Sequence, residues 1–317
     1  MNAPESRLQS EQRAATAQRT GFLLGIAAYA FWGVLPIYFK WLQVVPPVSI
    51  VAHRICWSLL ILIVLVTAVR GWSSVRSALR QRRTMLLLTA SAALIAVNWL
   101  LYVYAVNSGH ILAGSLGYYL NPLANILLGR FFLKEHLSRL QWAAVGIAAA
   151  GIAVLAAGAL GQLWISLILC MSFASYGFVR KIVAAEALTG LTIETALLTP
   201  LALAWLFATH QAGTPALAPS AHIGWLLAFS GIATSVPLLL FTAAARRLPY
   251  STIGMLQFIA PTLQFLVAVF LYGEPFTRAH AIAFSAIWIA LALYVAALLA
   301  AARRERLSSA ADPVMVR

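Results

Sequence analysis

Ten stretches of mostly apolar residues, each about twenty long, follow one another down this chain. They run at roughly 20–42, 47–69, 85–106, 111–133, 139–157, 161–179, 190–209, 222–245, 250–272 and 278–301. A helix rises about 1.5 Å per residue, so each stretch matches a hydrocarbon core about 30 Å thick. The links are short, the longest being Arg70–Thr84 and His210–Ala221, and no soluble domain is inserted. Within lipid, backbone N–H and C=O groups must bond inside their own segment, which makes each stretch a helix. Only 9% of the 317 residues are charged and 62% are apolar, whereas a soluble domain carries about 25% charged residues. A soluble enzyme is excluded. The expected fold class is an all-α integral membrane protein with ten transmembrane helices.

The formal net charge of +14 would suggest a nucleic-acid partner in a soluble protein. Here the bases are scattered singly or in pairs between apolar runs, and nucleic acid is not expected. Their placement instead sets orientation. With the N-terminus in the cytosol, 19 of the 22 bases fall in cytosolic links and tails, against Lys40 and Arg278 opposite; Arg54 lies within a span. By the positive-inside rule both termini are cytosolic, with residues 1–19 and 302–317 as tails. The polar start lacks the short apolar core and small-residue cleavage site of a signal peptide. Cys56 and Cys170 sit in apolar stretches and read as packed thiols. No metal site and no cofactor are expected.

The chain carries an internal repeat. Segments 113–138 and 252–277 align without gaps, placing Pro122 on Pro261, Leu127 on Leu266, Phe131 on Phe270, Glu135 on Glu274 and Ser138 on Thr277. In the same register Tyr118 meets Gln257 and Asn125 meets Gln264. With the prolines these pairs fall at i, i+4 and i+7, one face of a helix, and polar faces of membrane helices turn into the bundle. Earlier in each half Tyr29, Trp32, Gly33 and Pro36 align with Phe173, Tyr176, Gly177 and Arg180. Five spans per half is an odd number, so the halves, 20–157 and 158–301, enter from opposite sides as an inverted repeat. Such repeats place a binding site at their interface near the midplane.

The stretches AYAFWGVLPIYFK (28–40), AHRICWS (52–58), NWLLYVYAVNSGHILAGSLGYYLNPLANILLG (98–129), YGFVRK (176–181) and TSVPLLLFTAAARRLPYSTIGMLQFIAPTLQFLVAV (234–269) resemble the EamA branch of the drug/metabolite transporter superfamily. Glu135 and Glu274, each closing a span, are similar to the end-of-span signature of the two EamA repeats. The resemblance covers nearly all of 20–301 and implies a bacterial inner-membrane permease. It implies export of small amphipathic metabolites or drugs such as amphenicols.

Several residues are candidates for that site. Charge within a span is costly and commonly functional. Arg54 either snorkels to the outer headgroups or holds an anionic group; His53 either bonds a backbone carbonyl or takes part in proton coupling. Glu194, the one acid clearly within a span, is either an exposed helix-start carboxylate or a second proton-coupling group. Asn98, Tyr102, Tyr118, Asn121, Asn125, Gln257 and Gln264 either line a substrate pocket or bond helix to helix. Trp32, Trp99 and Tyr176 can stack on an aromatic substrate. Pro122, Pro261, Glu135 and Glu274 read as structural, the glutamates capping the helix that follows each. Gly21 and Gly25, and Ala149, Ala153 and Ala157, have the small-residue spacing that lets helices approach.

No phosphate-binding GxxxxGK[ST] loop occurs, so this chain does not hydrolyse ATP. Asp312 is the only aspartate, and HExxH, GxSxG and paired-carboxylate motifs are missing. The expected class is therefore a secondary transporter working by alternating access, not an enzyme. The alternatives are an integral membrane enzyme on lipid-linked substrates and a scaffold or proton pathway.

Overall fold

The computed structural model describes residues 3–108, 110–157, 160–211, 220–273 and 277–311. Among them every regular element is a helix. They are α1 (Ala3–Trp41), α2 (Pro47–Ala68), α3 (Trp72–Arg80), α4 (Arg82–Asn107), α5 (Ile111–Phe132) and α6 (Arg139–Ala156). After a single 3-10 turn come α7 (Leu163–Ile182), α8 (Ala187–Gln211), α9 (Ala221–Ala245), α10 (Tyr250–Gln257), α11 (Ile259–Leu266) and α12 (Arg278–Ala311). Nine helical stretches among the described residues are long and apolar enough to cross a membrane, α10 and α11 forming one of them. Helix α5 is not among the nine. The side chains of its first two residues, Ile111 and Leu112, lie outside the described ones, and it packs against α7 and α10.

The surface is inverted relative to a soluble protein. Leu201, Phe207, Trp225, Val64 and Leu86 are exposed on the outside, while Asn98, Asn121, Asn125, Ser166, Thr234 and Gln257 are buried. Lipid-facing helices need no polar cover, and polar groups find partners only inside.

Neighbour relations are paired across the two halves. Helix α1 packs on α9 as α4 packs on α7, and α5 packs on α7 as α1 packs on α10 and α11. Helices α2 and α8, α5 and α10, and α6 and α12 pack on one another. Close approach uses glycine at defined points. A Cβ on Gly254 of α10 would lie 2.6 Å from the Pro122 carbonyl oxygen of α5, and one on Gly151 of α6 would lie 2.7 Å from Ala286 of α12. Gly21 and Gly25 do bring α1 against Arg247, Leu248 and Leu256. Ala149, Ala153 and Ala157 do not serve this purpose: α6 buries Ala144, Ala148, Gly151 and Ile152 instead, a face rotated away from them.

Two more features differ from the sequence reading. The link Arg70–Thr84 contains α3, an amphipathic helix that buries Val75 and Ala78 beside α4 and α8. The ninth stretch is broken at Phe258, between α10 and α11. Proline at 261 has no N–H to give the Gln257 carbonyl four residues earlier, so the regular ladder lapses there. Pro122, its aligned mate, sits inside an unbroken α5.

Candidate functional site

A cavity of about 200 Å³ lies between the two halves. Its wall takes Trp32, Pro36 and Phe39 from α1, Arg54 from α2, and Asn98, Trp99 and Tyr102 from α4. Tyr118 of α5, Phe173 of α7, Thr234 of α9, and Gln257, Pro261 and Gln264 of α10 and α11 also line it.

Backbone chemistry explains one contact in the wall. Pro36 has no N–H to offer the Trp32 carbonyl one turn back. That orphan acceptor is met by Gln264, whose Nε2 donates to Trp32 O at 3.1 Å and ties α11 to α1. Asn98 is bonded as firmly. Its Nδ2 donates to Leu169 O (2.9 Å) and to Ser172 Oγ (3.1 Å), and its Oδ1 accepts from Tyr118 Oη at 3.5 Å. Asn125 Nδ2 donates to Gln257 Oε1 at 2.7 Å across the α5–α10 contact. Spans four and nine thus meet directly. Tyr118, Gln257 and Gln264 of the matched polar faces reach the cavity, and Asn125 is spent between helices.

At the base of the cavity the aligned aromatic residues converge. Tyr29, Trp32, Phe173, Tyr176 and Phe241 form one cluster, with ring centroids 5.6–6.4 Å apart. Tyr29 and Trp32 come from one half, and their register mates Phe173 and Tyr176 from the other. Tyr176 is not on the main wall. It faces a smaller void of about 10 Å³, room for one water.

Of the other candidates, His53 is not on the cavity wall although Arg54 is. Successive residues of a helix point about 100° apart, and here Arg54 is the one turned to the cavity. Asn121 is fully buried away from the cavity, with neither side-chain amide atom hydrogen-bonded. Glu274 lies outside the described residues.

Glu194 corrects the sequence reading. It is 2% exposed, not a solvated helix start, and its Oε1 lies 3.5 Å from Arg180 Nη1. Ser91 Oγ donates to the same oxygen. Arg180 is fully buried and also donates from Nη2 to Ala187 O at 3.1 Å. Arg180 stands in the last turn of α7, its side chain turned into the bundle rather than out into the link that follows. Gly190 is required beside it, since a side chain there would occupy the position of the guanidinium. Glu194 lines the smaller void with Trp99, Tyr176 and Thr234, and Trp99 and Thr234 also line the main cavity.

Glu135 also departs from expectation. Ser138 and Gln141 form the capping box of α6 by themselves. Glu135 instead reaches the other half, where Oε1 accepts from Tyr250 N (2.5 Å) and Oε2 from Ser251 N (2.9 Å). It caps α10. Lys181 and Arg246 make a further pair of cross-contacts. Lys181 Nζ bonds Ala245 O (2.8 Å) and Leu248 O (2.5 Å) at the end of α9, and Arg246 Nη1 bonds Val183 O (3.0 Å) and Ala185 O (2.5 Å) beyond α7.

Residues 19–157 match the model of the EamA-like transporter family. Protein RarD of Escherichia coli (strain K12) is 45% identical over 285 residues, 87% of this chain and 94% of that one. The chain belongs to the EamA family. An uncharacterized transporter of Pseudomonas aeruginosa is 46% identical over 281 residues, again 87% of this chain and 93% of its own. A crystal structure of a protein 21% identical in sequence shares the fold, with a TM-score of 0.69 over 87% of this chain and 97% of that one. With family and apolar helices together, the chain is a multi-pass membrane transporter. The family segment ends at the last turn of α6 and so takes in the first half of the bundle.

Arg180, Thr234, Phe39 and Phe173 were not singled out in the sequence as site residues. Thr234, Phe39 and Phe173 are ordinary membrane-helix residues. Arg180 did carry a signal: a lone acid within a span, Glu194, requires a cationic partner at comparable depth.

Proposed function

We propose that this chain is a secondary permease of a bacterial inner membrane, exporting small amphipathic metabolites or drugs by alternating access. One observation carries the reading: a cavity with aromatic and amide walls sits where matched segments of the two halves meet. The reading includes ten spans as two inverted five-helix repeats, supported by packing relations of α1, α4, α5, α7 and α9 that exchange between halves as such a repeat requires. The cavity lies toward Phe39, Tyr102 and Ser115, near the ends of α1 and α4 and the start of α5. With the N-terminus in the cytosol those ends face outward. The inner side is filled by Tyr176, Phe241, Tyr250 and the Arg180–Glu194 pair, an arrangement suited to an outward-open state. Glu194, beneath the cavity and sharing Thr234 and Trp99 with it, is the group suited to couple a proton to this movement.

Counterflow in proteoliposomes tests the class, since a transporter exchanges labelled solute across a sealed membrane and an enzyme or scaffold does not. With a transported solute in hand, Tyr118→Leu and Gln257→Leu are each expected to lower the counterflow rate about tenfold, the equivalent of one or two lost polar contacts. Membrane insertion should be unchanged. Wild-type rates in both variants remove the α5–α10 face from the path.

Orientation has its own test. A reporter that fluoresces only in the cytosol, fused after Arg317, is expected to light up. Labelling of a cysteine at that position by an impermeant external reagent contradicts a cytosolic C-terminus.

A further inference from the structure

Among the described residues Arg54 has no counter-charge. Its guanidinium sits between two rings, 5.1 Å from the centroid of Trp99 and 5.4 Å from that of Phe39. Among the described residues its hydrogen bond is the one from Nε to Thr234 Oγ1, at 2.8 Å. The four N–H groups on its terminal nitrogens remain for something else. No aspartate or glutamate stands on the cavity wall. Two carboxylates elsewhere among the described residues are committed, Glu194 to Arg180 and Ser91, and Glu135 to the first turn of α10. The amides of the wall have partners of their own: Asn98 bonds α7, Gln257 Oε1 accepts from Asn125, and Gln264 Nε2 serves the Trp32 carbonyl.

An unpaired cation inside a membrane protein is expensive, and the expense falls when an anion joins it. Resting on the reading of this cavity as the transport site, we propose that its substrates are small organic monoanions, each a flat apolar body bearing one carboxylate. The carboxylate takes the planar fork of Arg54 through two parallel N–H···O bonds, a geometry a lysine cannot supply. The body lies against Trp32, Trp99 and Phe173. A neutral solute of the same shape forfeits the ionic contact, and a cation is repelled by Arg54.

The test uses the full-length protein in detergent and three labelled probes of one shape and different charge: phenylacetate, phenylacetamide and phenethylamine. Phenylacetate is expected to bind at least about tenfold more tightly than phenylacetamide, the ratio that one charge-assisted contact supplies, with phenethylamine weaker again. Arg54→Gln is expected to bring phenylacetate down to the level of phenylacetamide, and Arg54→Lys to keep only part of the preference. Three outcomes overturn the inference: either other probe binding as tightly as phenylacetate, the preference surviving in Arg54→Gln, or none of the three binding at about 10 mM. The wild-type comparison stands even if a variant fails to fold. Counterflow of the same probes separates the two readings. Selective phenylacetate binding without counterflow removes transport and keeps the anion site, whereas counterflow favouring the amide or the amine keeps transport and removes the anion site.

Discussion

Arg180→Met is expected to deplete the folded protein from the membrane, and Arg180→Met combined with Glu194→Met to restore it to near the wild-type amount. The two side chains are 0% and 2% exposed and lie 3.5 Å apart. Removing one partner of a buried ion pair strands the other charge and typically costs about 3–5 kcal/mol. Replacing both by apolar residues of similar bulk is often neutral or stabilising, because the desolvation penalty leaves with the charges. The Glu194→Met single variant is expected to be as damaging as Arg180→Met, since Arg180 would keep only its bonds to the carbonyls at the start of α8. Thermal unfolding in detergent, with membrane abundance as a second readout, gives the four corners of a double-mutant cycle. Single variants as stable as wild type would mean that the two charges are not confined together. A restored double variant also permits a functional measurement. It is expected to insert normally and to lose transport driven by a proton gradient while keeping counterflow, if Glu194 carries the proton.

The spans were legible because hydropathy is read along one dimension. The expected run 47–69 becomes Pro47–Ala68, 139–157 becomes Arg139–Ala156, and 222–245 becomes Ala221–Ala245. Helix α3 was not legible, since its nine residues bury only Val75 and Ala78, too few to mark an apolar run. Nor was the break at Phe258 distinguishable from the unbroken helix around Pro122, because both segments carry a central proline.

For the site, polarity within a span said which residues must turn inward, but not what each one meets. Arg54, Asn98 and Gln264 reach the cavity, whereas Asn125 is taken by Gln257 and Asn121 is enclosed elsewhere. A rotation of 100° separates His53 from Arg54, and only packing fixes which of the two faces the cavity. Arg180 stayed hidden for a related reason. A base at the end of a span reads equally as an interfacial anchor, and neighbouring Lys181 does bond helix-end carbonyls. What sets the two apart is the place that Gly190 and Glu194 of α8 leave for the Arg180 side chain.

Glu135→Ala is expected to loosen the junction between the two halves. The carboxylate satisfies the first two N–H groups of α10, which proline at 249 and the helix geometry leave without intrahelical acceptors. Bonds from a charged acceptor to backbone N–H contribute about 1.5–3 kcal/mol each, less than additively when one group makes both. The positive end of the helix adds to this attraction. Space for the carboxylate is provided by Gly129, where a Cβ would lie 2.6 Å from Glu135 Oε2. Glu135→Gln keeps an oxygen acceptor and the shape but loses the charge and one acceptor, so it is expected to fall between wild type and Glu135→Ala in unfolding temperature. Because α10 carries Gln257 into the cavity wall, Glu135→Ala is also expected to weaken phenylacetate binding without changing its preference over phenylacetamide, a preference that depends on Arg54 alone. Equal unfolding temperatures for all three proteins would show that α10 holds its first turn without the carboxylate. A changed probe preference would mean that Glu135 acts on the charge in the cavity as well as on the helix that frames it.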